Sequence, residues 1–236
     1  MRILDTILDI LFPKQCRGCG NKVSGTAAIC ESCLLHCGGD SGYTCGVCHG
    51  RIPRSARGLP PRAITCHPRM AYLLISLTQY HSPQVRQAVH ALKFRRCEAV
   101  AEQLGALLAA RITALGAAGF TYVVPVPLSA QRLRERGFNQ AELLASAVSC
   151  RLSLPIRTNI LIRRRNTKAQ STLHSRADRI QNVSASFAVR SGLNLAQARI
   201  LLIDDVTTSG ATLAAAAHAL KEAGAGPIVC AVIARA

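Results

Sequence analysis

The sequence predicts an α/β domain, built on a parallel β-sheet with helices on both faces, that follows a small cysteine-rich module. Beyond residue 70, continuous apolar runs such as TYVVPVP and ARILLIDDV alternate with helical patterns, as expected for strands that are buried on both faces. Before residue 70, eight of the 11 cysteines lie between Cys16 and Cys66, in a segment rich in Gly and Pro. We therefore predict a module over residues 1–69 and the α/β domain over residues 70–236.

The overall composition is that of a folded protein that attracts polyanions. Hydrophobic residues make up 49% of the chain, and 29 basic residues against 12 acidic ones give a net charge of +17. Such a charge attracts nucleic acid, anionic lipid or a phosphate-rich small molecule. The sequence has no uninterrupted apolar run of about 18 residues and no good signal peptide. We therefore expect a cytoplasmic protein without stable membrane insertion.

The start of the module carries the spacing of a zinc site. Apolar residues at helical spacing predict a short helix over residues 1–12. The pair Cys16-x-x-Cys19 follows, and ten residues separate it from Cys30-x-x-Cys33. Each C-x-x-C unit directs two sulfurs at one tetrahedral metal ion, and the absence of an export signal favours metal over disulfides. We therefore predict a zinc-ribbon module with structural Zn²⁺ bound by these four cysteines.

A second unit of the same kind begins at Cys45-x-x-Cys48, with Cys66 as a third ligand. Three nearby side chains are candidates for the fourth ligand: Cys37, His49 and His67. The alternative is that this second unit holds no metal. We count Cys45, Cys48 and Cys66 as candidate metal ligands.

The α/β domain begins with MAYLLISLTQY, which predicts a strand pair or one bent strand. A long helical pattern opens at Ser82-Pro83. TYVVPVP then predicts a strand, residues 131–152 a helix and residues 159–162 a short strand. A polar, basic, loop-like run covers residues 163–182. SASFAV, ARILLIDDV and IVCAVIA predict three further strands, with a helix that ends at Gly224 between the last two.

The strongest functional signal is ILLIDDVTTSGATL, at residues 200–213. A buried strand ends on Asp204 and Asp205, and a Thr/Ser/Gly turn leads into a helix. Ligands of open α/β sheets bind beyond the carboxyl ends of the strands, amides at a helix N-terminus bind anions, and Gly210 lets the backbone approach a phosphate closely. Because two carboxylates would repel a phosphate, they indicate a hydroxylated sugar or a metal ion. A phosphate beside a diol describes a ribose 5-phosphate.

The segment VVPVPLSAQRLRERGFNQ, at residues 123–140, repeats this strand–turn–helix arrangement. Pro fixes φ, so Pro125-Val126 lies in a stiff turn. Arg132, Arg134 and Arg136 cluster near the start of the following helix, and guanidinium groups beside a strand end suit a pyrophosphate. We place Pro125, Val126, Arg132 and Arg136 on the pyrophosphate side of the site. The alternative for the arginines is a solvated basic helix face.

The motif D-D-V-x-T-S-G-x-T, at residues 204–212, closely resembles the signature of type I phosphoribosyltransferases. The resemblance implies a type I phosphoribosyltransferase-like sheet, with phosphoribosyl pyrophosphate and Mg²⁺ as ligands. It implies that Asp204 and Asp205 contact the ribose 2′- and 3′-hydroxyls, and that residues 208–212 wrap the 5-phosphate. Thr207 stands where many of these enzymes carry an aliphatic residue. The implied binding residues are Asp204, Asp205, Thr207, Thr208, Ser209, Gly210, Ala211 and Thr212.

Further motifs extend the resemblance nearly end to end, and together they resemble the ComF family. They are FP-x-x-C at residues 12–16, LKF at 92–94, PVPL at 125–128, RGFNQ at 136–140, Gln170-x-x-Leu173 and RIQN at 179–182. The resemblance implies that residues 163–179 form the mobile loop that closes over the active site, with Lys168 as its phosphate-facing cation. The implied catalytic set is Asp204, Asp205 and Lys168. Members of this family often carry a further cysteine where this chain has Arg69, so the second metal site is incomplete.

These observations lead to the hypothesis that the protein binds phosphoribosyl pyrophosphate and acts on single-stranded DNA in natural transformation, alongside DNA-uptake or recombination proteins. The chain has 4 Tyr, 5 Phe and no Trp, which predicts that phosphate contacts rather than base stacking dominate DNA binding. A basic loop of the module supplies candidate DNA-binding residues: Arg51, Arg54, Arg57 and Arg62. Two alternatives remain open: a phosphoribosyltransferase of nucleotide or cofactor salvage, and a non-catalytic regulator that senses the ligand.

Overall fold

The computed structural model describes residues 14–38, 42–46, 48, 50–52, 72–94, 96–164 and 186–236. These residues form eight strands and six helices. The strands are β1 (Tyr43–Cys45), β2 (Arg51–Ile52), β3 (Leu73–Gln79), β4 (Tyr122–Pro125), β5 (Leu161–Arg163), β6 (Phe187–Val189), β7 (Ile200–Thr207) and β8 (Ile228–Arg235). The helices are α1 (Glu31–His36), α2 (Pro83–Phe94), α3 (Glu98–Ala114), α4 (Ala130–Arg136), α5 (Gln140–Leu152) and α6 (Ala211–Glu222).

No helix in these ranges has the length and apolar character needed to cross a membrane. The helix predicted over residues 1–12 lies outside them.

Six strands form one sheet in the order β2-β1-β3-β8-β7-β4. β3, β8, β7 and β4 run parallel, whereas β1 and β2 are antiparallel at one edge. The pairing of β4 with β7 aligns Pro125 with Ile203, so the carboxyl ends of these two strands lie at the same edge of the sheet. Ligands of parallel sheets bind at this edge. β5 and β6 form a separate antiparallel ribbon.

Helices cover both faces of the sheet. On one face, Leu201 and Ile203 of β7 belong to a core with buried residues of α2, α3 and α5, and we call this the α2 face. On the other, Ile200 and Leu202 belong to a core with α6 and Phe187, and we call this the α6 face. Burial on both faces explains why the strands are continuous apolar runs. The predicted parallel sheet with helices on both faces is confirmed.

The cysteine-rich segment is joined to the sheet and to α3. Thr44 of β1 pairs with Leu74 of β3. The Gln103 side chain in α3 accepts hydrogen bonds from the amides of Ala28 and Ile29, both at 2.8 Å, and donates one to the Ile29 carbonyl at 3.0 Å. The predicted boundary after residue 69 therefore separates segments that share one sheet, and that division remains a prediction.

The two long helices predicted from the sequence are each divided. The pattern from Ser82-Pro83 forms α2 and α3, because Arg96 between them has a left-handed φ of 42°, which an α-helix cannot accommodate. The helix predicted over residues 131–152 forms α4 and α5. Gly137 ends α4 with a φ of 75°, and Asn139 starts α5 as its N-cap. MAYLLISLTQY contributes the single strand β3.

Candidate functional site

Two adjacent carboxylates lie near the carboxyl end of β7. Asp205 is only 4% exposed, and its Oδ2 lies 3.3 Å from Nζ of Lys93, in the last turn of α2. Neighbouring residues of a strand point to opposite faces. Asp205 therefore lies on the α2 face with Leu201 and Ile203, and Asp204 lies on the α6 face. The two carboxylates flank the strand end from either side.

Asp204 is half-buried, and its surroundings disfavour the ionised form of its carboxyl group. Its Oδ1 accepts a hydrogen bond from the Asp205 amide at 2.9 Å. Burial, together with the charge of Asp205, raises the pKa of Asp204 well above its usual range, and Lys93 offsets part of this effect. Carboxylates with raised pKa values in clefts are typical of functional sites.

Arg163 was not among the predicted site residues, yet it interacts electrostatically with Asp204. Its Cζ lies 5.1 Å from the ring centroid of Phe187. Burial and the charge of Arg132 lower the pKa of Arg163, whereas Asp204 raises it, so these three charged groups interact. Arg163 is the first residue of the basic run that was predicted as a loop and that contains Lys168, but in the structure it is the last residue of β5. Lys168 lies outside the described residues, and its catalytic role remains a prediction.

The turn after β7 has the geometry of an anion site. Gly210 adopts a φ of 73° as the N-cap of α6, and no side chain caps this helix. The first amides of α6 are therefore available to a ligand, and the helix dipole favours an anion there. The Tyr72 hydroxyl donates a hydrogen bond to the Gly210 carbonyl at 3.4 Å and helps to fix the turn. The predicted residues around it differ in exposure: Thr208, Ser209 and Ala211 are exposed, Thr212 is half-buried and Thr207 is buried.

A side chain from RGFNQ fixes the turn after β4. Nδ2 of Asn139 donates a hydrogen bond to the Val126 carbonyl at 3.0 Å, while its Oδ1 accepts one from the Ala141 amide at 3.1 Å and caps α5. The Val126 amide donates to the Ile203 carbonyl at 2.9 Å. The Pro125-Val126 turn is thereby held against β7, beside the two carboxylates.

Three buried side-chain atoms in this region make no hydrogen bond within the described residues: Arg136 Nη1, Gln140 Oε1 and Asp205 Oδ2. Asp205 Oδ2 has the ion pair with Lys93 instead. Buried polar atoms without hydrogen bonds cost free energy, which a ligand can recover by supplying partners. Arg136 also packs its guanidinium over Phe94, the residue after Lys93, with Cζ 5.1 Å from the ring centroid. Arg132 is exposed on α4.

Lys93 is a second site residue, after Arg163, that the sequence analysis missed. It is the central residue of LKF at 92–94, which was noted only as a shared motif. Its contact with Asp205 joins a helix to a strand far away in the sequence, and no local pattern predicts such a contact. The available signal was a lysine in the last turn of a helix that leads towards the carboxyl edge of the sheet.

The four predicted ligands of the first metal site come together. The Sγ atoms of Cys16, Cys19, Cys30 and Cys33 all lie within 4.8 Å of one another, and those of Cys19 and Cys30 are 3.6 Å apart. Zn–S bonds of about 2.3 Å in a tetrahedral site require sulfur separations of about 3.8 Å. The donor atoms and their spacing therefore fit a single metal ion.

Local hydrogen bonds favour the thiolate at two of the four cysteines, Cys16 and Cys30, whereas burial raises the pKa of the Cys33 thiol. Cys16 Sγ accepts hydrogen bonds from the amides of Gly18 at 3.3 Å and Cys30 at 3.2 Å. The Ser32 hydroxyl and the Cys33 amide lower the pKa of the Cys30 thiol to about 6, so at neutral pH it is largely the thiolate that binds metal. The turn also requires a glycine, because a Cβ at Gly18 would lie 2.9 Å from Cys33 Sγ.

The second pair of cysteines belongs to no comparable cluster within the described residues. Cys45 is buried in β1, and Cys48 is exposed. Cys66 lies outside the described residues, so the second metal site remains a prediction.

Of the predicted DNA-binding arginines, the structure describes Arg51, which is exposed in β2. Three others lie outside the described residues: Arg54, Arg57 and Arg62. Their role in DNA binding remains a prediction.

Comparisons with known proteins identify a domain family and several relatives. Residues 136–236 match the phosphoribosyl transferase domain family. The chain is 30% identical over 217 residues to DNA utilization protein YhgH of Salmonella typhi, which covers 90% of this chain and 86% of that protein. It is 36% identical over 115 residues to competence protein F of Haemophilus influenzae, covering 48% of this chain and 50% of that protein. With competence protein ComFC of Bacillus subtilis it shares 41% identity over 103 residues, which are 43% of this chain and 39% of that protein.

Proposed function

The chain belongs to the ComF family of phosphoribosyltransferase-domain proteins, and from this we infer that it binds phosphoribosyl pyrophosphate and acts on single-stranded DNA during DNA uptake. The observation that carries the ligand assignment is the end of β7. There, Asp204 and Asp205 stand next to the helix N-terminus at Gly210, which no side chain caps. Acceptors for a diol and donors for a phosphate are thus combined in one turn.

Each part of phosphoribosyl pyrophosphate has a matching group in this proposal. The 5-phosphate lies on the amides and hydroxyls of residues 208–212, and the ribose hydroxyls donate to Asp204 and Asp205. The pyrophosphate faces the Pro125-Val126 turn, Arg132 and Arg136. The unpartnered atoms of Arg136 and Gln140 support a polar ligand at this place.

Mg²⁺ fits the same donor set, because it prefers carboxylate and phosphate oxygens. The carboxylates of Asp204 and Asp205 would hold it together with the pyrophosphate, and it would supply positive charge that offsets the negative charge of the pyrophosphate. Lys93 compensates the buried charge of Asp205 and keeps that side chain in place. Arg163 balances the charge on the Asp204 side.

We propose that the metal of the four-cysteine cluster is Zn²⁺ with a structural role, since closed four-thiolate sites are structural. Its binding free energy would hold residues 14–38 in the conformation that docks on Gln103 of α3. We also propose a cytoplasmic location. A four-cysteine metal site is typical of a reducing compartment, where paired cysteines bind metal instead of forming disulfides.

The DNA role is supported by the names of the relatives, which are a DNA utilization protein and two competence proteins. It is also supported by the net charge of +17. Contacts to phosphates release counterions, so this proposal implies weak sequence preference and a steep loss of affinity with salt. The protein partners that fit this role are DNA-uptake and recombination proteins.

One experiment tests the DNA role and separates it from the alternatives. A labelled single-stranded oligonucleotide is titrated with the protein at several salt concentrations by fluorescence anisotropy, and pyrophosphate release from phosphoribosyl pyrophosphate is followed with and without the oligonucleotide. Binding that weakens steeply with salt supports the proposal, and absence of binding at low ionic strength contradicts it. Pyrophosphate release that requires a free base instead of DNA would favour a salvage transferase. Tight ligand binding without any release would favour a regulator.

A further inference from the structure

An exposed aromatic ring stands beside the carboxylate site. Phe94, the last residue of α2, is 59% exposed although it is large and apolar. The Arg136 Cζ lies 5.1 Å from its ring centroid, and the His90 ring centroid lies 4.7 Å away with a tilt of 38°. Lys93, one residue earlier, pairs with Asp205. Neighbouring side chains thus hold the ring, while more than half of its surface faces solvent.

A groove lies between the cysteine cluster and α2, and His90, which lines it, also contacts the Phe94 ring. It has a volume of about 340 Å³ and lies between residues 15–20 and the side of α2 that carries Gln87, His90 and Ala91. Among the described residues that line it there is no acidic side chain, and Arg17 contributes a positive charge. The sequence of α2, PQVRQAVHALKF, also contains no Asp or Glu. The ring, the Arg136 guanidinium beside it and Arg17 in the groove offer an apolar face and positive charges to a strand with bases and phosphates. Cys16 and Cys19 also line the groove, so the phosphates would contact Arg17 rather than the cluster.

An aromatic ring beside cations in a basic groove is the arrangement with which proteins bind single-stranded nucleic acid. A base stacks on the ring, and the phosphates contact the cations. The guanidinium of Arg136 strengthens such a stack, because it polarises and orients the ring through a cation–π contact. A residue that served only the core would be buried, as Val85, Val89 and Leu92 of the same helix are.

We propose that Phe94 is the platform on which a base of single-stranded DNA stacks, and that the strand continues in the groove between α2 and the cysteine cluster. This proposal rests on the proposed DNA role, and it adds the place on the protein where the strand binds. It adds one stacked base to binding in which phosphate contacts are expected to dominate. The strand would pass within one residue of Lys93, so DNA and phosphoribosyl pyrophosphate would meet at the Lys93–Asp205 pair.

The test compares a labelled single-stranded oligonucleotide with an oligomer of the same length that lacks bases. Both are titrated by anisotropy with the wild type, Phe94→Ala, Phe94→Tyr and Leu193→Ala, a control at another exposed apolar residue. Loss of one stacked base corresponds to a loss of affinity of roughly 5- to 150-fold. Phe94→Ala should show this loss with the normal oligonucleotide only. Phe94→Tyr and Leu193→Ala should bind like the wild type, and all four proteins should bind the abasic oligomer equally.

Other outcomes overturn the platform. Wild-type affinity of Phe94→Ala for the normal oligonucleotide would show that no base stacks there. An equal loss with the abasic oligomer would show that Phe94 acts through folding or backbone contacts, and melting temperatures of the variants would identify a folding defect. If the wild type binds neither oligomer at low ionic strength, the DNA role fails and the platform fails with it. That result differs from one in which the wild type binds the oligonucleotide and Phe94→Ala binds it equally well, which overturns the platform alone.

Discussion

Nζ of Lys93, at the end of α2, lies 3.3 Å from Oδ2 of Asp205, near the end of β7, and the two side chains are 24% and 6% exposed. This ion pair links the helix that carries Phe94 to the strand that carries the proposed ligand site. Because the carboxylate is buried, its negative charge needs the compensation that the lysine provides. The pair is therefore both a structural contact and part of the electrostatics of the site.

Replacing Lys93 should destabilise the fold. Lys93→Met leaves the buried carboxylate of Asp205 without its cation, and we expect a loss of about 2 to 3 kcal/mol in the free energy of unfolding. Adding Asp205→Asn should restore part of this loss, since the buried charge is then removed. Denaturant titrations of the single and double variants measure both effects.

As a control, Arg151→Met removes an exposed pair with Glu102 at 3.8 Å and should change stability by less than about 1 kcal/mol. Equal effects of the two single variants would contradict the account.

Gly18→Ala should impair metal binding in the cysteine cluster. The added Cβ would lie 2.9 Å from Cys33 Sγ, so either the sulfur or the turn must move away from tetrahedral geometry. We expect less than one equivalent of zinc in the purified variant, or faster loss of zinc to a chelator. Gly38→Ala is the matched control, because the nearest atom to its added Cβ would be 3.5 Å away. Zinc retention by Gly18→Ala equal to that of the control would show that the cluster does not hold the metal as described.

The docking of the cysteine-rich segment should depend on Gln103. Gln103→Ala removes the acceptor for the amides of Ala28 and Ile29, and unpaired buried amides cost about 1 to 3 kcal/mol. Hydrogen exchange at these two amides should accelerate, and proteolysis within residues 14–38 should become faster. Gln131→Ala, which removes an exposed hydrogen bond to Glu135, should change neither. Unaltered exchange in Gln103→Ala would mean that other contacts hold the segment.

The parts of the site that are local in sequence could be predicted, and the long-range parts could not. The turn at Gly210 and the cluster from Cys16 to Cys33 follow from spacing alone, because each is built by a short stretch of chain. Lys93 reaches Asp205 only after α2 has packed on the sheet, so its role needs the fold. The long helices were predicted without their breaks, although Gly137 already marked one of them. No residue type in the sequence marks the break at Arg96, because arginine rarely adopts a positive φ and so does not indicate the end of a helix.

Affinity for phosphoribosyl pyrophosphate should rise with pH through the raised pKa of Asp204. Below that pKa the carboxyl is protonated and is a poorer acceptor for ribose hydroxyls, whereas above it the carboxylate accepts them. Binding measured at fixed excess Mg²⁺ over a pH series around neutrality should show this increase. The ligand's own phosphates also titrate, so Asp204→Asn provides the control, and its pH dependence should be flatter. Identical pH profiles would exclude Asp204 as the titrating group.

The central claim is that phosphoribosyl pyrophosphate binds at the end of β7, and calorimetric titration of the ligand with Mg²⁺ tests it most directly. The variant Asp204→Asn/Asp205→Asn should lose about 100-fold or more in affinity, because each carboxylate hydrogen bond contributes about 1.5 to 3 kcal/mol. Glu222→Gln, at an exposed carboxylate paired with His218, should bind like the wild type, and melting curves should show that the double variant is folded. Undiminished affinity in the folded double variant would contradict the account.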